Sequence, residues 1–203
     1  MSIQIFVIRH GATAWNKEKR LQGKQDIPLS VEGIEQLKDC QIPSRFTDLD
    51  WYCSPLQRAR QTAQLLEIDG YKIEPAIEEM NWGDWEGQRL PHLRHQLGAL
   101  MAEQEARGLD LSPPGGESPR QVRTRLLEWL KTHSNTNDIG LVCHKGIMRS
   151  LVSAALDWDM KQDCPTKIDW NAGLLFQWHP HSGLILIEAN IALVPNSGNQ
   201  RGN

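Results

Sequence analysis

The stretch Ile3-Gln4-Ile5-Phe6-Val7-Ile8-Arg9-His10-Gly11 opens the chain with an apolar run that ends in two basic side chains and a glycine. Such a run predicts a buried strand over residues 3–8. Similar runs predict further strands at 50–53, 139–143, 174–178 and 184–187. Segments of helical periodicity separate several of them. This alternation predicts an α/β fold with a largely parallel central sheet.

Two helix starts can be read directly from the sequence. Ser54-Pro55-Leu56-Gln57 and Ser118-Pro119-Arg120-Gln121 each place Ser at the N-cap, Pro at the first helical position and Gln at the third. A further helix is expected from about 146 to 156. The apolar spacing of Leu90, Leu93, Leu97, Leu100 and Met101 predicts one more helix, which covers the sheet or lines the entrance to a site.

Length and charge bound the class of protein. The 203 residues suffice for one domain, predicted over 1–194, and the polar, glycine-rich segment 195–203 is expected to be a disordered tail. A net charge of -3 gives no field that would draw the chain to nucleic acid or to an anionic membrane. With no leader segment or spanning run, we expect a cytoplasmic protein. The four cysteines lack paired spacing and are expected to be reduced core thiols.

Basic residues lie shortly after the ends of three predicted strands. Arg9 and His10 follow the first, Arg58 comes shortly after the strand at 50–53, and His144 and Lys145 follow the strand at 139–143. Ligands of open α/β sheets bind outside the carboxyl ends of the strands, so these side chains can converge there. Such a cluster of cations needs an anion at its centre, and a guanidinium matches two phosphoryl oxygens. The sequence therefore predicts a phosphate site.

The same residues suggest a reaction. A neutral imidazole is a competent nucleophile when its other nitrogen donates to a fixed acceptor, and His10 fits this role. Cations on Arg9, Arg58 and His144 would stabilise the phosphoryl group in transit, so neither a metal nor a cofactor is required. The backbone N–H of Gly11 could add a donor.

Further polar groups complete the predicted site. Thr13 and Asn16 are candidate neutral donors in the same loop as the nucleophile. The leaving group needs a proton, which a carboxylic acid in a dry environment can supply. Glu78 and Glu79 precede the Gly- and Trp-rich run 81–87, and the residues alone do not choose between them.

Taken together, these motifs resemble the histidine phosphatase superfamily, which includes cofactor-dependent phosphoglycerate mutases. The motifs are Arg9-His10-Gly11, Leu21-Gln22-Gly23, Ser54-Pro55-Leu56-Gln57-Arg58, Glu79-Met80-Asn81-Trp82-Gly83, Gly115-Gly116-Glu117-Ser118 and Val142-Cys143-His144-Lys145-Gly146. The resemblance covers nearly the whole chain and implies a three-layer α/β/α sandwich. It implies that His10 carries the phosphoryl group, that Arg9 and Arg58 bind phosphate, that Glu79 rather than Glu78 is the acid, and that His144 stabilises the transition state. It also adds Gln22 and Gly23 to the phosphate-binding set.

The sequence departs from the family pattern at two positions. Ala12 stands where Glu or Gln is usual, which removes a polar side chain beside the nucleophile. Lys145 stands where Gly is common, and its ammonium is a candidate ligand of a substrate carboxylate or second phosphate. The compact interval from Glu79 to His144 resembles phosphatases more than mutases. The chain is similar to broad-specificity phosphatases and to α-ribazole phosphatase of cobalamin synthesis.

Three functions follow, with one preferred. The preferred function is hydrolysis of a phosphate monoester of a small metabolite. The alternatives are mutase-type phosphoryl transfer and a non-catalytic phospho-ligand binding module, for which Glu79 would not be needed. The leaving group is expected to be recognised by variable segments such as 88–116. A homodimer is left open.

Two histidine pairs and most of the tryptophans are expected to have no role in the site. The pairs His92 with His95 and His179 with His181 have spacings that could bind a metal, but they lack a third ligand and are read as surface residues. Among the eight tryptophans, only Trp82 and Trp85 are expected near the pocket.

Overall fold

The computed structural model describes residues 2–133 and 137–196, and eight strands lie within them. The strands are Ile3–Arg9 (β1), Cys40–Gln41 (β2), Asp50–Cys53 (β3), Lys72–Ile73 (β4), Ile139–Cys143 (β5), Gly173–His179 (β6), Gly183–Ile191 (β7) and Val194–Pro195 (β8). Six of them form one sheet in the order β4-β3-β5-β1-β6-β7, and β2 pairs with β8. The first four strands of that order are parallel to one another. Strand β6 pairs with β1 in the antiparallel direction, and β7 pairs with β6 in the antiparallel direction. The predicted, largely parallel sheet is confirmed.

Helices cover both faces of this sheet. In the described residues they are Ala14–Lys17 (α1), Val31–Lys38 (α2), Gln57–Leu65 (α3), Leu90–Leu97 (α4), Ala99–Ala106 (α5), Pro119–Lys131 (α6) and Lys145–Leu156 (α7). Short 3₁₀ turns occur at Ser44–Phe46, Pro75–Ile77, Gly83–Trp85 and Gly108–Asp110.

Strand β1 is apolar on both sides because it lies between two helical layers. Successive side chains of a strand point to opposite faces. Ile5 and Val7 belong to the core cluster that includes buried residues of α6 and α7, whereas Phe6 and Ile8 belong to the cluster with α2 and α3. The protein is therefore the expected three-layer α/β/α sandwich.

The carboxyl ends of β1, β5 and β3 lie side by side. The N–H of His10 donates to the carbonyl of Cys143 at 2.9 Å, and the N–H of Ser54 donates to the carbonyl of Val142 at 3.0 Å. Parallel pairing continues through these bonds to the last residue of each strand. The residues that follow the three strands consequently leave the sheet at one edge, as the sequence predicts.

The helix after β3 begins later than predicted. Its N-cap is Leu56 and its first residue is Gln57, so Ser54 is not the cap. The hydroxyl of Ser54 instead lies 2.7 Å from the imidazole Nε2 of His144. A sequence pattern typical of a helix cap therefore has a role in the site. At Ser118 the predicted capping box is present, with both reciprocal hydrogen bonds to Gln121.

The single helix predicted through Leu90 and Met101 is wrong, because the segment forms two helices. Gly98 breaks it with φ 51° and ψ -120°, a conformation that favours glycine. The chain turns there, so that α4 and α5 pack against each other. Their buried residues Leu93 and Met101 form a small cluster with Trp85, beside the main core.

The predicted tail is paired at its start. Pro195 lies opposite Cys40 in the β2–β8 pair, and the N–H of Asn196 donates to the carbonyl of Asp39 at 2.8 Å. Ordered structure thus continues two residues past the predicted boundary at 194. The rest of the predicted tail, 197–203, lies outside the described residues.

The four cysteines differ in burial. Cys53 and Cys143 are buried, as expected for core thiols, whereas Cys40 and Cys164 are half-buried; all four are unpaired. Burial raises the pKa of Cys53 to about 12, so this thiol stays protonated at neutral pH. No helix within 2–133 and 137–196 is long and apolar enough to cross a bilayer. The cytoplasmic location stays a prediction.

Replacing Ser118 with Ala should destabilise the fold, because the hydroxyl that accepts from the N–H of Gln121 is lost at the start of α6. We expect the free energy of unfolding to fall by about 1 kcal/mol in urea denaturation. Ser112→Ala, at an exposed serine ahead of the same helix, is the control and should change it by less than about 0.5 kcal/mol. Equal losses in the two variants would contradict the capping role.

Candidate active site

A cavity of about 860 Å³ opens at the edge of the sheet where β1 and β5 end. Six residues singled out in the sequence line it: Arg9, His10, Asn16, Gln22, Glu79 and Lys145. Arg58 and His144 are fully buried behind this wall. The volume is in the range of small-molecule sites.

His10 is buried and is held in one orientation by its own loop. Its Nδ1 lies 2.7 Å from the carbonyl oxygen of Gly11, so that Nδ1–H donates and Nε2 keeps its lone pair. Burial, together with the charges of Arg9 and Arg58, holds the pKa of His10 well below its ordinary value. A neutral, oriented imidazole of this kind can act as a nucleophile.

His144 lies beside His10, with ring centroids 5.1 Å apart and planes inclined by 56°. Its Nε2 lies 2.7 Å from the Ser54 hydroxyl, and its Nδ1 accepts from Nε of Arg58 at 3.3 Å. Burial and the neighbouring Arg58 charge hold the pKa of His144 well below its ordinary value. The neutral form of His144 is therefore favoured in the empty site, and its role as a cation during phosphoryl transfer stays a prediction.

Arg58 contributes a positive charge to this site and also holds a neighbouring loop in place. Its Nη1 donates to the carbonyl of Gln25 at 2.7 Å and its Nη2 donates to the carbonyl of Gly23 at 2.8 Å. These bonds tie the loop after α1 to helix α3. The side chain is fully buried, so its charge acts on the cavity from behind the wall.

Arg9 presents an unsatisfied donor near the cavity. Its Nη1 donates to Oδ1 of Asn171 at 2.9 Å, while its buried Nε has no hydrogen-bond partner among the described residues. A buried N–H without a partner costs about 1–3 kcal/mol. The Arg9 side chain lines the cavity, so an oxyanion bound there lies beside its positive charge. No pattern in the sequence indicates Asn171, which lies in a loop 162 residues further along the chain.

The structure separates the two candidate acids. The Glu79 carboxylate faces the cavity and accepts from the N–H of Met80 at 2.9 Å and from that of Gly146 at 3.3 Å. Burial raises its pKa, although those hydrogen bonds and the arginine charges oppose the shift. Glu78 instead forms an ion pair with Lys24 at 3.0 Å. Of these two carboxylates, Glu79 is the one placed to exchange a proton with a ligand.

Asn16 and Gln22 line the cavity, and the buried side chain of Thr13 is hydrogen-bonded to both. The hydroxyl of Thr13 lies 3.0 Å from Oε1 of Gln22 and accepts from the N–H of Asn16 at 3.2 Å. Thr13 itself does not line the cavity. It caps α1 and holds its two neighbours in place.

Two predicted phosphate ligands have other hydrogen-bond partners. The N–H of Gly11 donates to the hydroxyl of Thr62 at 2.9 Å, and Gly23 contributes its carbonyl to Arg58. Neither glycine lines the cavity. Direct phosphate donation from Gly11 is therefore not what this arrangement offers, because its only backbone donor is already used.

A clamp that the sequence did not reveal holds the segment carrying Glu79. Arg125 of α6 donates to the carbonyls of Ala76 and Glu78, the latter at 2.7 Å, and pairs with Glu117 at 3.0 Å. Glu117 also accepts from the N–H of Asn81 at 3.0 Å. These bonds fix the backbone on both sides of Glu79. The motif containing Glu117 was visible in the sequence, but its partner was not.

Metal ligation finds no support in the histidine pairs. His92, His95 and His181 are exposed, and in the part of the chain that the structure describes no three His, Cys, Asp or Glu residues are grouped as a metal site requires. Among the tryptophans, Trp82 lines the cavity as expected but Trp85 is buried beside it. Trp158 and Trp170, which the sequence did not single out, also line it.

The family follows from a match over most of the chain. Residues 5–182 match the model of the histidine phosphatase superfamily (branch 1). This chain belongs to the histidine phosphatase superfamily. The predicted family is thereby confirmed, together with its fold, whereas the roles of the individual side chains stay predictions.

Several relatives within this superfamily are phosphatases. Over 147 residues the chain is 35% identical to fructose-2,6-bisphosphatase TIGAR B of Danio rerio, covering 65% of this chain but only 53% of that relative. It is 29% identical over 184 residues to adenosylcobalamin/alpha-ribazole phosphatase of Salmonella typhimurium, covering 82% and 90% of the two chains. These relatives support a phosphatase enzyme.

Solved structures agree with the fold. The mycobacterial glucosyl-3-phosphoglycerate phosphatase complexed with VO3 superposes with a TM-score of 0.73 at 25% identity, over 94% of this chain and all of that one. A structure described as mycobacterial hydrolase 1 superposes with a TM-score of 0.75 at 24% identity, over 96% of this chain and all of that one.

Replacing Arg125 with Met should displace Glu79, because the clamp on the backbone of residues 76–81 is lost. We expect kcat for an alkyl phosphate, whose leaving group needs a proton, to fall on the order of 10²-fold. An activated aryl phosphate should be affected much less. Arg120→Met is the control, since Arg120 lies on the same helix but pairs in solvent with Asp110. Equal losses on the two substrates would contradict a positioning role.

Replacing Glu79 with Gln should stabilise the folded protein at neutral pH. A carboxyl whose pKa is raised by folding contributes stability below its unfolded pKa and loses that contribution as pH rises through the folded pKa. The gain of Glu79→Gln over the native chain should therefore be largest above pH 7 and shrink toward about pH 4.5.

Urea denaturation at several pH values measures this gain. Glu78→Gln, at a carboxylate paired with Lys24 near the surface, is the control and should show a change within about 1 kcal/mol. A Glu79→Gln variant that is less stable than the native chain at pH 8 would refute the expectation.

Proposed function

We propose that this protein hydrolyses phosphate monoesters of small metabolites through a phosphohistidine on His10, without a metal or a cofactor. The observation that carries the proposal is one cavity that holds both a neutral, backbone-anchored His10 and a buried Glu79 with a raised pKa. The nucleophile and the acid can therefore act on one bound ligand. The phosphatase relatives support the same reaction class.

In the first step, Nε2 of His10 attacks phosphorus and the bond between phosphorus and the ester oxygen breaks. The departing oxygen takes the proton of Glu79, which its raised pKa keeps available. The products are the alcohol, a phosphorylated His10 and an ionised Glu79. The Nδ1–H bond to the Gly11 carbonyl keeps the ring oriented and stabilises the charge that develops on it.

Charge on the phosphoryl oxygens is met by the surrounding donors. Arg9 lines the cavity and Arg58 lies buried behind it, so the charges of both guanidinium groups stabilise these oxygens. His144 gains a proton more readily once an anion is bound, because the anion offsets the repulsion from Arg58. This preorganised positive field does what a metal ion does in other phosphoryl-transfer enzymes.

In the second step, water attacks phosphorus and gives its proton to the Glu79 carboxylate. The bond between phosphorus and Nε2 breaks, which releases inorganic phosphate and restores neutral His10 and protonated Glu79. The same residue thus serves first as acid and then as base. Asn16 and Gln22 line the same part of the cavity and are proposed to hold phosphoryl oxygens by neutral hydrogen bonds.

The shape and charge of the cavity suit a small phosphorylated metabolite as partner. Its volume of about 860 Å³ fits a metabolite-sized leaving group, and Leu90, Trp82 and Leu111 give apolar wall area. The net charge of -3 gives no reason to expect nucleic acid or membrane binding. Leu90 and Leu111 lie in the predicted specificity segment 88–116, while Trp158 and Trp170 add a second segment.

Mutase-type transfer is the second candidate, since the chain is also 24% identical over 195 residues to the 2,3-bisphosphoglycerate-dependent phosphoglycerate mutase of Parvibaculum lavamentivorans, covering 89% and 93% of the two chains. Both reactions share the phosphohistidine. They differ in whether water or a bound alcohol accepts the phosphoryl group. A pure binding module is disfavoured, because binding alone gives no use for a buried acid that faces the ligand.

The test is phosphate release from an activated aryl phosphate and a panel of alkyl monoesters, in the presence of a chelator. We expect turnover by the native protein and a loss on the order of 10⁴-fold or more in His10→Ala, because the nucleophile is removed. His95→Ala, at an exposed histidine, is the control and should keep full activity. Alkaline quenching during turnover should trap acid-labile phosphate on the native protein and none on His10→Ala.

Two results would contradict this proposal in different parts. Formation of an isomerised phosphoester without inorganic phosphate would select the mutase. Turnover that disappears in chelator and returns with added metal would refute the metal-independent mechanism.

A further inference from the structure

Two cations of helix α7 face the cavity without a carboxylate partner. Lys145 and Arg149 are four residues apart, which places them on the same side of the helix, and both line the cavity. Within residues 2–133 and 137–196 neither forms an ion pair within 4.0 Å. Asp163 lines the same cavity but is not paired with either of them.

Apart from Arg9, the other arginine and lysine side chains on the cavity wall are paired with carboxylates. Each has a carboxylate within 4 Å: Arg20 pairs with Glu18, Arg94 with Glu105, and Lys161 with Asp159. Their charges are compensated inside the protein. The excess positive charge at the wall, beyond the phosphate site around Arg9, is therefore concentrated on Lys145 and Arg149.

Helix stability does not explain this pair. Lys145 is the first residue of α7, where the helix dipole disfavours a cation. Arg149 is half-buried, and its guanidinium lies 5.0 Å from the ring of Trp158 and 5.8 Å from that of Trp170. The two rings hold the guanidinium in place by cation–π contact. Burial and mutual repulsion with Arg9 and Arg149 lower the pKa of Lys145.

We propose that Lys145 and Arg149 form a second anion subsite, so that the substrate carries a further anionic group, a carboxylate or a phosphate, in addition to the phosphoryl group that is transferred. This inference rests on the proposed function, since the subsite is defined relative to a phosphate on His10. It goes beyond that function by naming the substrate class: a phosphorylated acid or a bisphosphate.

The geometry sets the approximate separation of the two groups. Helix α7 begins directly after His144, and a helix rises about 1.5 Å per residue, so Arg149 lies about 7.5 Å further along the axis than His144. Lys145 lies between these points. A ligand that reaches from His10 to Arg149 passes beside Trp158 and Trp170, whose rings can cover its carbon skeleton.

The test compares two rigid esters that differ in one charge, 4-carboxyphenyl phosphate and the nearly isosteric 4-carbamoylphenyl phosphate. For the native protein we expect kcat/KM to be about tenfold or more higher for the carboxylate, because charge-assisted hydrogen bonds are about twice as strong as neutral ones. Lys145→Gln and Arg149→Gln should each bring this ratio toward one. The bisphosphate of benzene-1,4-diol, as a third substrate, shows whether phosphate or carboxylate is preferred.

Lys161→Gln is the matched control, because Lys161 lines the same cavity but is paired with Asp159; its ratio should equal that of the native protein. Thermal unfolding reports whether Arg149→Gln is folded, and exposed Lys145 provides the test if it is not. A native ratio near one, or a ratio that neither variant changes, would overturn the subsite and leave the phosphatase intact. No phosphate release from either ester would instead count against the proposed function.

Discussion

Parallel pairing between β1 and β5 places Arg9 opposite Cys143, and the next residue of each strand is a histidine. Two imidazoles leave the sheet side by side for this reason alone, and their ring centroids lie 5.1 Å apart. A shift of the register by one residue would turn Ile5 and Val7 to the wrong helical layer, so the two-sided core fixes the position of the histidines. Catalytic geometry here depends on strand packing.

Burial of this cluster determines its protonation. His10 and His144 are surrounded by Arg9 and Arg58, and all four are largely removed from water, so the neutral form of both imidazoles is favoured. The backbone carbonyls of Gly23 and Gln25 partly compensate Arg58. The positive charge that remains uncompensated is the feature that leads us to propose a phosphate as the ligand.

Much of this could be predicted because the signals are local. Apolar runs predicted the strands, and the residues that follow two of them predicted His10 and His144, while the Gly- and Trp-rich run 81–87 indicated the acid pair just before it. Contacts between distant segments could not be predicted: Asn171 on Arg9, and Arg125 on the backbone around Glu79, depend on how loops fold back. Ser54 was misread because the pattern of a helix cap also suits a hydroxyl that bonds to a buried histidine.

Adjacent positions 145 and 146 at the start of α7 are under opposite constraints. The N–H of Gly146 donates to Glu79, and a Cβ at this position would collide with that carboxylate, so no side chain is tolerated there. The side chain of Lys145 faces the cavity, and the hydrogen bonds that Glu79 accepts come from the backbone of Met80 and Gly146. The side chain at 145 can therefore be replaced without crowding the acid, whereas a side chain at 146 would displace it. Two neighbouring positions thus differ in how freely they can be redesigned, which makes position 145 the one to vary when the binding preference of the cavity is to be altered.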